Sequence, residues 1–248
     1  MKILVVNSNT SKAVTGIIKK NVERYVSTET EVICMTVANG PSTIEGHLDA
    51  LLAAKATAEL IAEEEENFDG FLIACGFDPG LNAIREISSK PVLGISLAAM
   101  TCASMICHRF AVLTPQMRMV NVIKDMIHVY GMDEKSAGVY AVECTVADVA
   151  TDQNKMVGEF IRQARQAVKD GADAICLGGA TLSGMDKIIE AQVKVPVLDG
   201  IACGAVMLEA LIRLHLAHSK EGDFGLPEKK QLIGEKQTLQ RIYDRREN

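Results

Sequence analysis

The sequence predicts an α/β protein of two pseudosymmetric lobes, each a mostly parallel sheet flanked by helices, with an active site in the cleft between them. Three observations predict it. Short, uniformly apolar strands alternate with helical stretches, the pattern of parallel strands covered on both faces. The same order of elements runs twice through the 248 residues. The third strand of each half also matches at the residue level. Asp69-Gly70-Phe71-Leu72-Ile73-Ala74-Cys75 aligns with Asp173-Ala174-Ile175-Cys176-Leu177-Gly178-Gly179, so that Cys75 has Gly179 as its counterpart.

Taken in order, Ile3 to Val6 is a β-branched strand ending in the polar turn Asn7-Ser8-Asn9-Thr10-Ser11, and a helical stretch follows to about Tyr25. Glu31 to Thr36 reads as the next strand. Asn39-Gly40-Pro41-Ser42 marks a loop before an Ala/Leu helix over about Leu48 to Glu66, whose glutamates 63 to 66 form a solvated end. Phe71 to Ala74 runs into the turn Cys75-Gly76-Phe77-Asp78-Pro79-Gly80, then a helical stretch and the strand Pro91 to Ile95. The plan restarts with the strand Phe110 to Leu113, ending at Thr114-Pro115, and a helix to about Val129. The strand Gly138 to Val142, a helix over Asn154 to Lys169, the strand Ala174 to Leu177, the turn Gly178-Gly179-Ala180-Thr181 and the strand Val195 to Leu198 complete it. We divide the chain into a first lobe, 1–98 with 200–227, a second lobe, 99–199, and a charged extension, 228–248, read as a surface helix or an oligomer contact.

Lys and Arg number 26 against 32 Asp and Glu, and the net charge of -6 disfavours nucleic acid or an anionic membrane as partner, leaving a small molecule. No apolar run approaches the roughly 18 residues that span a bilayer, and MKILVVNSNTS turns polar too soon for a secretory signal, which places the chain in the cytoplasm. Seven cysteines, at 34, 75, 102, 107, 144, 176 and 203, form no CxxC and no metal-type cluster with the histidines, so neither zinc nor disulfides are expected. GxGxxG after the first strand, GxxxxGK[ST], HExxH and GxSxG are all missing, which removes the main support for nucleotide, zinc-protease and serine-hydrolase chemistry and leaves cofactor-free acid/base work.

Duplicated α/β lobes turn the carboxyl ends of their strands toward one another, where open sheets bind ligands. The turns Asn7 to Ser11, Cys75 to Gly80, Thr114 to Arg118 and Gly178 to Thr181 then share one cleft. A cysteine at a strand end, before a glycine-rich turn and a helix start, has backbone N–H groups that lower a thiol pKa and hold an anion. Cys75 is therefore the candidate chemical residue. Cys176 lies inside an apolar strand, Cys102 and Cys107 in an Ala/Met-rich helix, and Cys34, Cys144 and Cys203 carry no polar turn, so packing explains them. His47 precedes a helix and could border the cleft, although a surface histidine explains it as well.

The segments Val6-Asn7-Ser8-Asn9-Thr10-Ser11, Gly40-Pro41-Ser42-Thr43-Ile44-Glu45-Gly46, Ala74-Cys75-Gly76-Phe77-Asp78-Pro79-Gly80-Leu81 and Pro196-Val197-Leu198-Asp199-Gly200 resemble the aspartate/glutamate/hydantoin racemase superfamily, and most nearly its hydantoin and allantoin racemase branch, over roughly residues 1 to 227. The resemblance implies a cofactor-independent, homo-oligomeric enzyme in which two cysteines flank an acidic carbon, one removing its proton and the other returning one from the opposite face. Cys75 matches the first, whereas Gly179 stands where the second is expected. Thr181, Ser183 or a water would then take the second thiol's place. The resemblance further implies that backbone N–H groups near Gly76, Phe77, Gly179 and Ala180, with the Thr114 hydroxyl, hold an enolate oxygen, and that Asn9 and Thr10 orient the substrate. Rival readings are a one-cysteine decarboxylase or lyase resembling arylmalonate decarboxylase, a cis-trans isomerase resembling maleate isomerase, and a non-catalytic small-molecule binding protein.

Overall fold

A computed structural model describes residues 1–244. The first half contains β1 (Lys2–Asn7), α1 (Lys12–Val22), β2 (Glu31–Thr36), α2 (His47–Glu64), β3 (Gly70–Ile73), α3 (Leu81–Ile87), β4 (Val92–Gly94) and α4 (Ile95–Ile106). The second contains β5 (Phe110–Thr114), α5 (Met119–Val129), β6 (Ser136–Ala141), α6 (Val146–Thr151), α7 (Gln153–Lys169), β7 (Ala174–Leu177), α8 (Asp186–Val193), β8 (Val197–Leu198) and α9 (Gly200–Arg213), and α10 (Gln237–Asp244) ends the described chain. Two four-stranded sheets form, in the orders β2-β1-β3-β4 and β6-β5-β7-β8. Every pairing is parallel. The central strands are buried throughout, which is why their sequences are apolar runs and not alternating ones.

The registers of the two sheets correspond. Val6 pairs with Ile73 in the first, and Leu113 with Leu177 in the second. One further bond continues each ladder, from Ala74 N–H to the Val6 carbonyl and from Gly178 N–H to the Leu113 carbonyl, both 2.8 Å. Cys75 and Gly179 are the next residues, so the two sheets end on them at matching positions.

The helices that follow each sheet cross over. α4 leaves the first sheet and packs on β5, β7 and β8 of the second, while α9 leaves the second and packs on β3 and β4 of the first. Met100 and Ala103 of α4 share a core with Phe110, Val112 and Cys176, and Ile201, Ala205 and Leu208 of α9 share one with Ile3, Val5 and Leu72. The two helices also pack against each other. This reciprocal exchange ties the halves together through buried apolar surface, which contributes roughly 25 cal/mol per Å² removed from water.

Several boundaries move from the sequence reading. The first helix stops at Val22, because the chain closes there in tighter turns from Arg24 to Asn21 and Tyr25 to Val22. The last strand is confined to Val197–Leu198. The glutamate run is not wholly solvated. Glu65 is 3% exposed and accepts hydrogen bonds from the backbone N–H and hydroxyl of Ser89, both at 2.8 Å. The charged extension carries a helix, α10, that packs on α2 of its own chain. Lys236 pairs with Glu59 and Glu63, Lys55 with Glu235, and Ile242 is buried beneath. Residues 245–248, the last of that extension, lie outside the described residues. Among the described residues no helix is long and apolar enough to cross a membrane.

Candidate active site between the two sheets

Where the strands of the two sheets end, their turns meet backbone to backbone. A Cβ on Gly76 would stand 2.4 Å from the Gly178 carbonyl oxygen and 3.0 Å from the Gly179 Cα, and a Cβ on Gly178 would stand 2.6 Å from the Leu113 carbonyl oxygen. Side chains are excluded there. Gly179 differs. Its backbone is extended, with φ 170° and ψ 148°, and an added Cβ would meet only the Thr181 hydroxyl oxygen, 4.0 Å away.

These turns surround a small cavity. Cys75, Gly76 and Phe77 line it from one side and Gly178, Gly179, Ala180 and Thr181 from the other, with Asn9, Ile44, Met119 and Val146 completing its walls. Its volume is about 30 Å³, enough for about two waters.

The structure brings Asn9, Gly76, Phe77, Gly179, Ala180 and Thr181 to Cys75, and leaves Thr10, Thr114, Ser183 and His47 outside. The Thr10 backbone N–H and hydroxyl both point to the Pro41 carbonyl, at 3.0 and 3.4 Å, pinning one loop to another. Thr114 is fully buried behind Met119, whose sulfur lies 3.4 Å from its hydroxyl, because it is still part of its strand. Ser183 is also spent, its hydroxyl donating to Asp199 at 2.6 Å. His47 lines a separate hollow with Asp78 and Tyr130, on the far side of Phe77. Cys176 is buried in its strand, as expected.

Asn9 is fixed by its neighbours. Its side-chain oxygen accepts from the Ser11 N–H at 2.9 Å and the Asn7 amide at 3.1 Å, which leaves its own amide N–H groups to face the cavity. The turn around Cys75 is held from behind by Asp78, a role the sequence reading missed. Asp78 adopts φ 42°, and its buried carboxylate accepts from the N–H groups of Ser96 at 3.0 Å and Leu97 at 2.8 Å, at the start of α4, and from the Tyr130 hydroxyl at 2.8 Å. Ser96 in turn donates its hydroxyl to the Gly76 carbonyl at 2.8 Å. Burial pushes the Asp78 carboxyl up to about 6, against the pull of these hydrogen bonds. The unusual Asp before Pro-Gly in the turn was the available signal.

The second half solves the same problem from the opposite side. Asp199 caps α9 through the Ile201 N–H at 2.9 Å, and reaches back to the turn through the Ser183 hydroxyl and the Gly184 N–H at 3.0 Å. Its carboxyl is likewise raised by burial. At the corresponding position the first half has Gly94, and a Cβ there would lie 2.2 Å from the Asp78 carboxyl carbon. One carboxylate thus fills the gap between turn and helix in each half, contributed by the helix cap in one and by the turn in the other.

The expectation of a thiol with lowered pKa does not hold for Cys75. Burial pushes it up to about 12, the hydrogen bond from the Phe77 N–H opposes this, and the nearby Asp78 carboxylate raises it further. Apolar walls remove more hydration from a thiolate than one N–H restores. No group of three or more His, Cys, Asp or Glu residues suited to a metal ion occurs among the described residues.

The sequence model described as Asp/Glu/Hydantoin racemase matches residues 3–208. The chain belongs to this family. A hydantoin racemase of Pseudomonas sp. (strain NS671) is 34% identical over 236 residues, covering 94% of this chain and 95% of that one. Two solved structures superpose with a TM-score of 0.92. An allantoin racemase from Klebsiella pneumoniae is 34% identical and covers 98% of each chain. An allantoin racemase from Pseudomonas fluorescens is 31% identical and covers 94% of this chain and 100% of that one. The family thus accounts for the doubled sheet architecture, and the chain is an enzyme of the racemase/isomerase class.

Proposed function

We propose that the chain is a cofactor-independent racemase or isomerase of a hydantoin-like carbon acid, hydantoin, allantoin or a relative, in which the Cys75 sulfur moves the proton at the reacting carbon. The observation that carries this is the convergence of two equivalent strand ends on one cavity, with the Cys75 thiol on one side and Asn9 and Thr181 as the other polar side chains. A high thiol pKa makes the thiolate scarce at neutral pH but a strong base once formed. The backbone N–H groups of the turns and the Asn9 amide suit the oxygen on which charge develops; removal of one such donor typically costs about 100- to 1000-fold in rate. We read lobe boundaries at 98/99 and 199/200; the passage of α9 onto the first sheet supports the second of these, whereas the first falls inside α4 (Ile95–Ile106), which packs on the second sheet.

Gly179 favours a second reading on the same site, a one-thiol reaction with exchange or decarboxylation on a single face. Where a second sulfur would be carried there is no side chain, and the nearest hydroxyl is that of Thr181. A hydroxyl or a water is a far weaker acid than a thiol, so inversion through it is slow. Incubating each enantiomer of 5-substituted hydantoins and allantoin in deuterated water, with C5 deuteration followed by NMR and configuration by polarimetry, separates the readings. Exchange with inversion supports the racemase, and exchange with retention supports Cys75 acting alone. Absence of enzyme-dependent exchange refutes proton transfer at C5 of these substrates and favours a decarboxylase, a lyase or a binding protein.

A further inference from the structure

α4 and α9 pack together from closely placed starts, where a Cβ on Gly200 would lie 2.5 Å from the Ile95 carbonyl oxygen. About two turns further along, the Cys102 thiol of α4 donates to the Met207 sulfur of α9 at 3.5 Å. Cys203 lies one turn before Met207 and shares its face of α9. Its thiol donates to the Cys102 sulfur. The Met207 contact thus keeps the Cys102 sulfur on the stripe of α9 that carries Cys203. Both thiols are free and partly exposed, within reach of a small oxidant, and neither lines the cavity at Cys75. Burial pushes up the thiols of Cys34, Cys107, Cys144 and Cys176, as it does that of Cys75. Cys102 is pulled down instead, because the hydrogen bond from Cys203 outweighs its partial burial. The lowered thiol expected at the strand end stands between these helices.

We propose that Cys102 and Cys203 form a dithiol site, separate from the cavity at Cys75, which a hydroperoxide converts to a disulfide joining α4 to α9. The thiolate is the attacking species in such chemistry, and a neighbouring thiol resolves the product. The Cys102 sulfur attacks one peroxide oxygen and the O–O bond breaks, leaving a sulfenic acid on Cys102. With hydrogen peroxide the departing hydroxide takes up the proton that Cys102 had lost and becomes water. The Cys203 sulfur then attacks the sulfenic sulfur. The S–S bond forms as the S–O bond breaks, and the oxygen leaves with the Cys203 proton as a second water. In sum, two thiols are oxidised, one peroxide is reduced, and two waters are released. The new bond fixes the crossing of the two helices through which each half covers the other's sheet.

The test treats the full, folded chain with hydrogen peroxide, removes the oxidant with catalase, blocks free thiols with iodoacetamide before unfolding, and maps the peptides by mass spectrometry. A single cross-link between the Cys102 and Cys203 peptides, within one chain and reversed by dithiothreitol, is the expected result. Cross-links between other cysteines or between chains overturn the proposal, as do Cys102 and Cys203 that stay reduced while other cysteines are oxidised. In Cys203→Ala, which removes the resolving thiol, peroxide should leave a sulfenic acid on Cys102 that dimedone traps. Dimedone capture at another cysteine, with Cys102 unmodified, refutes the assignment of the attacking sulfur. A second measurement needs no oxidant. Iodoacetamide at pH 7 should alkylate Cys102 of the untreated chain at least about tenfold faster than Cys75, and Cys203→Ala should remove most of that advantage. Equal alkylation of Cys102 in the parent and the variant, with matching melting temperatures, would show that Cys203 does not activate it and would overturn the pairing.

Discussion

The Cys75 turn and the Gly179 turn occupy equivalent ends of equivalent strands, yet they tolerate change very differently. Around Cys75 the backbone is locked, with Gly76 against Gly178, Asp78 in a left-handed conformation, and its carboxylate filling the space beside Gly94. At Gly179 the backbone is in an ordinary extended conformation and the space above it is open. The comparison separates two kinds of glycine. Gly76 is required by the meeting of the two halves and Gly178 by the packing of its turn against β5 of its own sheet, whereas nothing in the packing requires Gly179.

The strongest way to break this comparison is to remove the one thiol. Cys75→Ala should lower C5 deuteration of the best substrate by about 1000-fold, within the range expected for loss of a general acid or base, while leaving the melting temperature nearly unchanged. An active Cys75→Ala would refute every thiol mechanism. The reverse experiment sharpens it. Gly179→Cys should fold normally and raise the rate of inversion by about 10- to 100-fold relative to retention, read by polarimetry alongside deuteration. Gly76→Ala is the architectural control, because its Cβ would collide with the Gly178 carbonyl. It should cost about 1–3 kcal/mol, as overpacking does, whereas Gly179→Ala should be neutral or slightly stabilising in chemical denaturation.

How much of this was legible beforehand follows from the range of the interactions. The alternation of strands and helices, the doubled plan and the alignment of Cys75 with Gly179 are local patterns of apolar runs and turns, and they read directly from the chain. The exchange of α4 and α9 is a tertiary choice, since either helix is apolar enough to cover either sheet. Thr114 looked like a turn residue because Pro115 follows it, but the strand extends through it and buries its hydroxyl. Tyr130 and Ser96 escaped notice for a related reason. Their partners lie 52 and 20 residues away, and no spacing rule connects them. The lowered thiol pKa failed as an expectation because it counted nearby donors and not the apolar walls around them.

Asp78 offers a smaller test of the same locked turn. Its carboxyl is held at about 6 in the folded chain, above an ordinary aspartate value of about 3.9. The folded state therefore keeps a proton that the unfolded chain has already lost, and stability contributed by this group falls as pH rises from about 4 to about 6. The fall should be about 2–3 kcal/mol at most, at 1.36 kcal/mol per pKa unit. Denaturation of the parent and of Asp78→Asn at pH 4, 5, 6 and 7 should show this decline in the parent and lose it in the variant. Asp199, also raised by burial, persists in both proteins and cancels from the difference. Removing the Asp78 charge should also lower the Cys75 pKa, since that carboxylate raises it, and so shift the rise of kcat/KM with pH toward neutrality.

Tyr130→Phe is the gentlest probe. It deletes one hydroxyl that donates to the Asp78 carboxylate at 2.8 Å and leaves the ring in its core. A hydrogen bond to a charged group contributes about 1.5–3 kcal/mol, and that loss should appear above pH 7, where Asp78 is ionised. Below pH 5 the carboxyl is protonated in both proteins and the difference should shrink. The Tyr130 hydrogen bond lowers the Asp78 pKa, so its removal should carry the midpoint of the stability decline above about 6. A midpoint that stays in place, with equal destabilisation at every pH, would mean that Tyr130 contributes through its packing alone and that the Cys75 turn is held by α4 without help from the second half.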